Sequence, residues 1–279
     1  MKSFRVLDPN LPDSSANGFC ALAVMTKAPQ AGRVKTRLVP PLTLEEAAEL
    51  NKCFLRDTAA AISSCSRRPV GDANKMPFQH GSASHPPSHS FGAASSEAAT
   101  AACGVAVYTP VGAESAYNDI LPNDFFLLPQ RGDKFGERLY FAVEDLFKCG
   151  FHSVCLIDSD SPTVSGENFV KAVELLNASA DRVVLGPSDD GGYYLIGLKK
   201  PQRQLFEQID WSTERVLNQT IQRATEIGLE AKLLPTGFDV DDAPSLRRLC
   251  NELQGDTTAA NIAPHTRKFL AGLTAHKEL

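Results

Sequence analysis

The sequence lacks the marks of several protein classes. Its seven cysteines are an odd number and include no Cys-x-x-Cys pair, so neither a disulfide framework nor a structural zinc site is expected, and a reducing compartment is. Positive charge is not in excess: 28 basic against 33 acidic residues give a net charge of -5, whereas a nucleic-acid binder would carry a net basic domain or stripe. No apolar run is long enough to span a bilayer. Residues 1–18 are polar and include Pro9, Pro12 and Gly18, so no secretory h-region is read there. These absences predict a cytoplasmic protein with no nucleic-acid partner and no membrane span. The ending His276-Lys277-Glu278-Leu279 resembles the Lys-Asp-Glu-Leu retention signal, but without an entry signal it is read as coincidence.

What is present suits one α/β domain. With 279 residues, 43% of them hydrophobic, the chain can bury a substantial core. The apolar run Phe19 to Met25 reads as a strand. Thr43 and Glu46 form a capping box for a helix whose apolar positions run from Leu44 through Ala47, Leu50, Phe54 and Ala59 to Ile62. From about 66 to 102 the composition turns to Ser, Ala, Pro, Gly and His, which reads as a disordered insert. Its histidines, His80, His85 and His89, have no acidic or cysteine partners and read as solvated.

Order resumes with strands at 104–109 and 125–128 and a helical stretch at 113–119 between them. A helix over 136–149 then leads to a strand at 153–157. Ser165 caps a helix to about Asn177, strands follow at 182–185 and 193–198, and Trp211-Ser212-Thr213 leads a helix ending near Gly228. A late strand at 230–234 and a helix capped by Asp242 and running to about Leu253 complete the pattern. Alternating strands and helices predict a three-layer α/β sandwich with a mostly parallel sheet. The domain limits are a flexible segment over 1–18 and one domain over 19–279, interrupted by the insert.

Five groups of residues suggest chemistry. The loop after the first strand, Lys27 to Leu38, carries Lys27, Arg33, Lys35 and Arg37. Gly32 would let backbone amides approach an anion, with Lys35 as a point charge and Arg37 as a forked one. No Gly-Lys-Ser/Thr run is present, so a P-loop is disfavoured. Asp158 and Asp160 follow the strand at 153–157, at the edge where open α/β sheets bind ligands, and residues two apart share a face. Magnesium and manganese take oxygen donors, often one or two carboxylates together with substrate phosphates. Asp239-Val240-Asp241 repeats that spacing, with Asp241 the second metal candidate and Asp239 readable as satisfying turn amides. Asp189-Asp190-Gly191-Gly192-Tyr193 reads by itself as a hairpin turn. Trp211 is equally a stacking surface or a core residue. Gly136-Glu137-Arg138, at a helix start, suits either an anion or internal pairing.

The basic loop, Gly136-Glu137-Arg138, Asp158-Ser159-Asp160-Ser161-Pro162, Gly186 to Leu198, Asp210-Trp211-Ser212-Thr213 and Asp239-Val240-Asp241 together resemble an uncharacterised GT-A-like transferase family of the DUF2064 type, within the nucleotide-diphospho-sugar transferase superfamily. The resemblance spans about Phe19 to Leu249, apart from the insert, where the family has a short connection. It implies that Lys35, Thr36 and Arg37 bind a nucleotide's phosphates with help from Lys27, and that Asp160 holds metal. It also implies that Asp190, Gly191, Gly192 and Tyr193 form a sugar or acceptor loop. The family usually has a small residue at the position of Asp158, which leaves Asp158 a weaker metal candidate. In related nucleotidyltransferases a late acid or amide at the position of Asp241 completes the metal site.

The expectation is a Mg2+ or Mn2+ dependent transferase acting on a nucleoside triphosphate or nucleotide sugar and a small-molecule or sugar acceptor. Lys35, Arg37 and Asp160 carry the catalytic charge stabilisation. Nucleotidyl transfer is slightly favoured over glycosyl transfer from an NDP-sugar. The reading from a different class is a non-catalytic nucleotide-binding or scaffold protein.

Overall fold

The computed structural model describes residues 4–11, 16–65, 101–255 and 262–275. The expected insert, apart from its last two residues, and the His-Lys-Glu-Leu ending lie outside the described residues. Those described form a sheet of eight strands: β1 (Arg5–Val6), β2 (Cys20–Lys27), β3 (Ala102–Thr109), β4 (Phe126–Pro129), β5 (Ser153–Ile157), β6 (Arg182–Pro187), β7 (Tyr193–Leu198) and β8 (Glu230–Leu233). Their order is β1-β4-β3-β2-β5-β7-β6-β8. Every pairing is parallel except those of β7 with β5 and β6. Six helices accompany them: α1 (Leu44–Cys65), α2 (Phe135–Lys148), α3 (Gly166–Asn177), α4 (Val216–Glu226), α5 (Ala243–Gly255) and α6 (Pro264–Thr274).

Side chains of β2 alternate between two helical layers, as the pleat requires. Cys20, Leu22 and Val24 pack with Leu55, Ala59 and Ile62 of α1 and Phe169, Ala172 and Leu176 of α3. Ala21 and Ala23 join Leu139, Val143 and Leu146 of α2 and Ala224 of α4. A third cluster ties Leu38, Leu42, Leu50 and Phe54 to Leu246, Leu249 and Leu253 of α5 and Leu270 of α6. The sandwich is therefore three-layered, with the predicted mostly parallel sheet at its centre.

The capping box of α1 is formed: Glu46 N–H donates to Thr43 Oγ1 at 3.1 Å and Thr43 N–H to the Glu46 carboxylate at 2.7 Å. Other expectations shift. The stretch at 113–119 is a single 3-10 turn over Glu114–Tyr117, anchored by buried Tyr117. The helix led by Trp211 starts only at Val216, because Ser212 is left-handed at φ 63 and the Thr213 hydroxyl donates to Asp210 O at 2.7 Å. Arg5–Val6 adds an edge strand inside the segment read as flexible. Helix α6 had no counterpart in the sequence reading.

One topological feature places the site. From β2 the chain crosses through α1 to β3 on one side, while β5 lies on the other. The strand order reverses between the paired neighbours β2 and β5, which is the switch point where open α/β sheets leave a crevice.

Candidate functional site

The basic loop leaves β2 at this crevice. Gly32 takes φ 71, a conformation that costs L side chains, and the chain turns back with Arg33 N–H donating to Gln30 O at 3.0 Å. Lys35 is left-handed too, at φ 48, and its side chain runs inward to be 4% exposed. There Lys35 Nζ meets Asp160 Oδ1 at 2.8 Å and Asp241 Oδ1 at 2.9 Å, and donates to Val240 O at 2.7 Å. Burial opposes its charge, but the two carboxylates outweigh it and hold the ammonium above its ordinary value. Arg37, two residues on, behaves differently: it is 71% exposed and 3.7 Å from Asp241. Buried Leu38 anchors the short Thr36–Leu38 turn beneath it.

The acids divide between two sides of the crevice. Asp160 and Asp241 converge on Lys35. Asp158, directly after β5, accepts the Ser161 hydroxyl at 2.7 Å. Burial, then the charge of Asp160, raises its carboxyl well above the usual range. Backbone bonds draw residues 237–241 across the strand ends: Gly237 N–H donates to Pro187 O at 2.8 Å and Val240 N–H to Asp160 O at 3.0 Å. Asp239 then accepts the Ser188 hydroxyl at 3.2 Å, and burial followed by the charges of Asp190 and Asp241 pushes it up to about 6. Asp242 caps α5, accepting Ser245 N–H at 2.9 Å, as its place before Ala-Pro predicted.

Two adjoining hollows result. A basic pocket of about 220 Å³ is lined by Lys27, Arg33, Lys35, Thr36, Arg37, Asn51, Ser159, Asp160 and Asp241. A second cavity of about 250 Å³ has apolar walls from Met25, Phe135, Leu139, Ile157 and Trp211, with Asp158, Asp160, Asp190 and Asp239 among them. Asp160 belongs to both.

Not every sequence candidate reaches a hollow. Gly32 shapes the loop without lining the pocket. Gly192, Asp190, Tyr193 and Trp211 line the second cavity, and Gly192 N–H donates to Asp190 Oδ1 at 2.8 Å. Gly191 does not line it: at φ 89, a Cβ there would lie 2.2 Å from Glu214 O, so packing against the approach to α4 requires this glycine. Tyr193 has its hydroxyl buried beside Thr220, and burial raises its pKa. Trp211 serves both readings, since it lines the cavity and also meets Phe135 edge-on at 5.1 Å. At the start of α2, Glu137 accepts Lys134 N–H at 3.2 Å and Asp133 N–H at 3.3 Å, so its carboxylate is engaged by the preceding loop, and Gly136 and Glu137 line a separate hollow with Tyr140, Arg203 and Trp211.

Sequence reasoning missed Asp239 and Asn51 as lining residues. The repeated Asp-x-Asp spacing could have found the first; Asn51, inside an amphipathic helix, offered no local signal.

Among the described residues no cluster of three or more His, Cys, Asp or Glu is arranged to hold a metal ion. Asp160 and Asp241 nevertheless each bring an oxygen within 3 Å of one cationic centre, the Lys35 ammonium. A pair of hard oxygen donors of this kind is part of the donor set that Mg2+ and Mn2+ use. Asp158 stands outside that pair and is absent from the basic pocket.

The family model described as "Uncharacterized protein conserved in bacteria (DUF2064)" matches residues 94–213. Its span includes Asp158, Asp160 and the Asp190 to Tyr193 turn, and excludes the basic loop and Asp241. No curated protein matches the chain in sequence. Among solved structures, a candidate nucleotide-diphospho-sugar transferase from Desulfovibrio desulfuricans G20 superposes with a TM-score of 0.72 at 24% identity, covering 93% of this chain and 96% of that one. Weaker likenesses include 4-diphosphocytidyl-2C-methyl-D-erythritol synthase from Anaerococcus prevotii DSM 20548, at TM-score 0.47, 11% identity and coverage of 85% and 98%. Glucosyl-3-phosphoglycerate synthase from Mycobacterium tuberculosis, solved with Mn2+, UDP and glucosyl-3-phosphoglycerate, gives 0.44, 10%, and 96% and 83%. The chain thus has the GT-A-like fold of nucleotide-diphospho-sugar transferases, and over residues 94–213 it matches the DUF2064 family.

Proposed function

We propose that the protein is a divalent-cation-dependent transferase that holds a nucleotide's phosphates in the basic pocket and an acceptor in the neighbouring cavity. The observation carrying this reading is the junction at Asp160, which belongs to both hollows and, with Asp241, grips the lysine of the basic loop. Phosphates entering beside Lys27, Lys35 and Arg37 meet positive charge, and that of Lys35 is held in place and needs no reorganisation as charge develops. Asp160 and Asp241 would hold a Mg2+ or Mn2+ ion, which supplies neutralisation of phosphate oxygens when bound.

Nucleotidyl transfer is the reaction favoured. Four cations crowd the loop of twelve residues from Lys27 to Leu38, a density that suits a polyphosphate. Asp158 faces the acceptor side and is bonded to Ser161, so the Asp158-Ser159-Asp160 run does not present both carboxylates to the phosphates as a glycosyltransferase Asp-x-Asp reading would need. An acceptor hydroxyl would form the new bond to the α-phosphate from the cavity side, its proton passing to solvent, as the bond between the α- and β-phosphates breaks and pyrophosphate leaves along the basic loop. Among the described residues no Lys, Arg or His lines the cavity, which favours an uncharged or cationic acceptor over a phosphorylated or carboxylated one.

The test is calorimetric titration with a panel of nucleoside triphosphates and nucleotide sugars, with and without metal. Tighter binding of triphosphates in the presence of Mg2+ supports nucleotidyl transfer. Selective binding of nucleotide sugars with Mn2+ replaces it with glycosyl transfer. Binding without metal-stimulated turnover of any nucleotide leaves the non-catalytic reading.

A further inference from the structure

Asn51 lies on the inward face of α1 among fully buried apolar residues, with Leu50, Phe54 and Leu55 beside it. It is 4% exposed, and its Oδ1 is buried without a hydrogen-bond partner. Such an oxygen lowers stability relative to an apolar side chain of the same shape, and buried polar groups are nearly always satisfied. Asn51 is also part of the wall of the basic pocket, together with Lys27, Arg33, Lys35 and Ser159. No described residue donates to that oxygen, and because Asn51 lines the pocket, the pocket's contents are a source of the missing donor.

We infer that Asn51 is a specificity-determining contact for the nucleoside part of the nucleotide, its amide oxygen accepting a hydrogen bond from a ribose hydroxyl or an exocyclic base amine. This rests on the basic pocket being a nucleotide site. Phosphate at neutral pH presents acceptors and few donors, so the phosphates that the loop cations attract cannot satisfy Oδ1. A hydroxyl or amine can. The pocket then reads phosphates with charge and the nucleoside with one neutral amide.

Asn51→Leu keeps shape and removes the oxygen, and Asn51→Ala, which cannot clash, is measured beside it. Both are titrated with GTP, 2′-deoxy-GTP, 3′-deoxy-GTP and ITP, and with CTP and its deoxy counterparts, so that each comparison removes one donor group; CTP against UTP is added, which exchanges the 4-amine for a carbonyl and places a proton on N3. Asn51→Leu is expected to raise the thermal unfolding midpoint while weakening the preferred nucleotide about tenfold. The wild-type preference for one hydroxyl or for the amine should disappear in both variants, and the donor whose preference disappears identifies the contact. A lowered midpoint with unchanged affinity would mean a structural asparagine and overturn the inference. An equal loss for every nucleotide in the series would also overturn it, by moving the contact to the phosphates. If the wild-type protein binds and the variants match it, this inference alone fails. If the wild-type protein binds no nucleotide, the proposed function fails first and takes the inference with it.

Discussion

On the loop side of Asp160 the wall is made by long charged side chains, Lys27, Arg33, Lys35 and Arg37; on the strand side it is made by rings, strand residues and the backbone of a turn. The difference decides what each side tolerates. The basic pocket depends on charge, and two of its cations, Lys35 and Arg37, pair with carboxylates of its own wall, so losing Lys35 leaves Asp160 and Asp241 unmatched. The second cavity depends on shape, with Trp211 of its wall held against Phe135 and the adjoining turn packed through Gly191 against Glu214. Within the basic pocket the same contrast recurs between Lys35, buried and doubly paired, and Arg37, exposed and loosely paired.

Lys35→Met tests the buried half of that contrast and should have the largest effect. Breaking a buried ion pair by removing one partner destabilises by about 3–5 kcal/mol. Asp160 and Asp241 are 32% and 41% exposed, so solvent screens them and about 2–3 kcal/mol is expected here. Urea unfolding measures it, and nucleotide affinity should fall in the same variant. A stability change within experimental error would show that the two carboxylates are indifferent to the lysine.

Asp160→Asn attacks the wall common to both hollows. Shape is kept, charge is lost, and the donor set for a cation loses one member. Metal-dependent nucleotide affinity should fall about a hundredfold, equivalent to about 2.7 kcal/mol. The fold should stay intact, since Asp241 still pairs with Lys35. Titration with Mg2+ and nucleotide reads the outcome, and undiminished metal dependence would remove Asp160 from the site.

Gly191→Ala breaks the turn beside the second cavity through shape alone. A Cβ would meet Glu214 O at 2.2 Å from a backbone at φ 89, combining a steric clash with a left-handed L-residue. About 2 kcal/mol of stability should be lost. Gly192→Ala provides the contrast: its nearest obstacle is the Asp190 carboxylate at 3.1 Å, which can move. Equal losses in thermal unfolding would show that the turn is held by something other than the contact with Glu214.

The fold was legible because most of its signals are local. Alternating and helical apolar periods, the Thr43 and Glu46 box and the Asp242 cap all act within a few residues, and the structure contains each of them. Helix α6 was not legible because its N-terminal N–H groups are satisfied from afar: Asp57 of α1 accepts from His265 N–H at 3.0 Å and Thr266 N–H at 2.8 Å. No nearby residue announces such a cap. The site shows the same division. The Asp-x-Asp spacing pointed to the crevice, but which carboxylate faces which hollow is decided by the backbone bond from Val240 to Asp160, which joins segments eighty residues apart in the chain. Gly191 likewise looked like room for a ligand, because the Glu214 backbone that presses on it is not adjacent in sequence.

Arg37→Ala sharpens the comparison from its weak end. The sequence reading gave Lys35 and Arg37 like roles, and the structure separates them by exposure: 4% against 71% for the side chains. An exposed pair at 3.7 Å contributes little to stability, so unfolding should shift by no more than about 0.5 kcal/mol. Its free guanidinium remains available to a ligand, and a charge-assisted contact of about 1.5 kcal/mol would make the affinity loss about tenfold. That loss should be larger for a nucleoside triphosphate than for the monophosphate if Arg37, at the open lip of the pocket, reaches the outer phosphates. An equal loss for both would place it on the inner phosphate and turn the reading toward a nucleotide sugar. No loss for either would leave Lys35 as the working cation of the loop and Arg37 as surface.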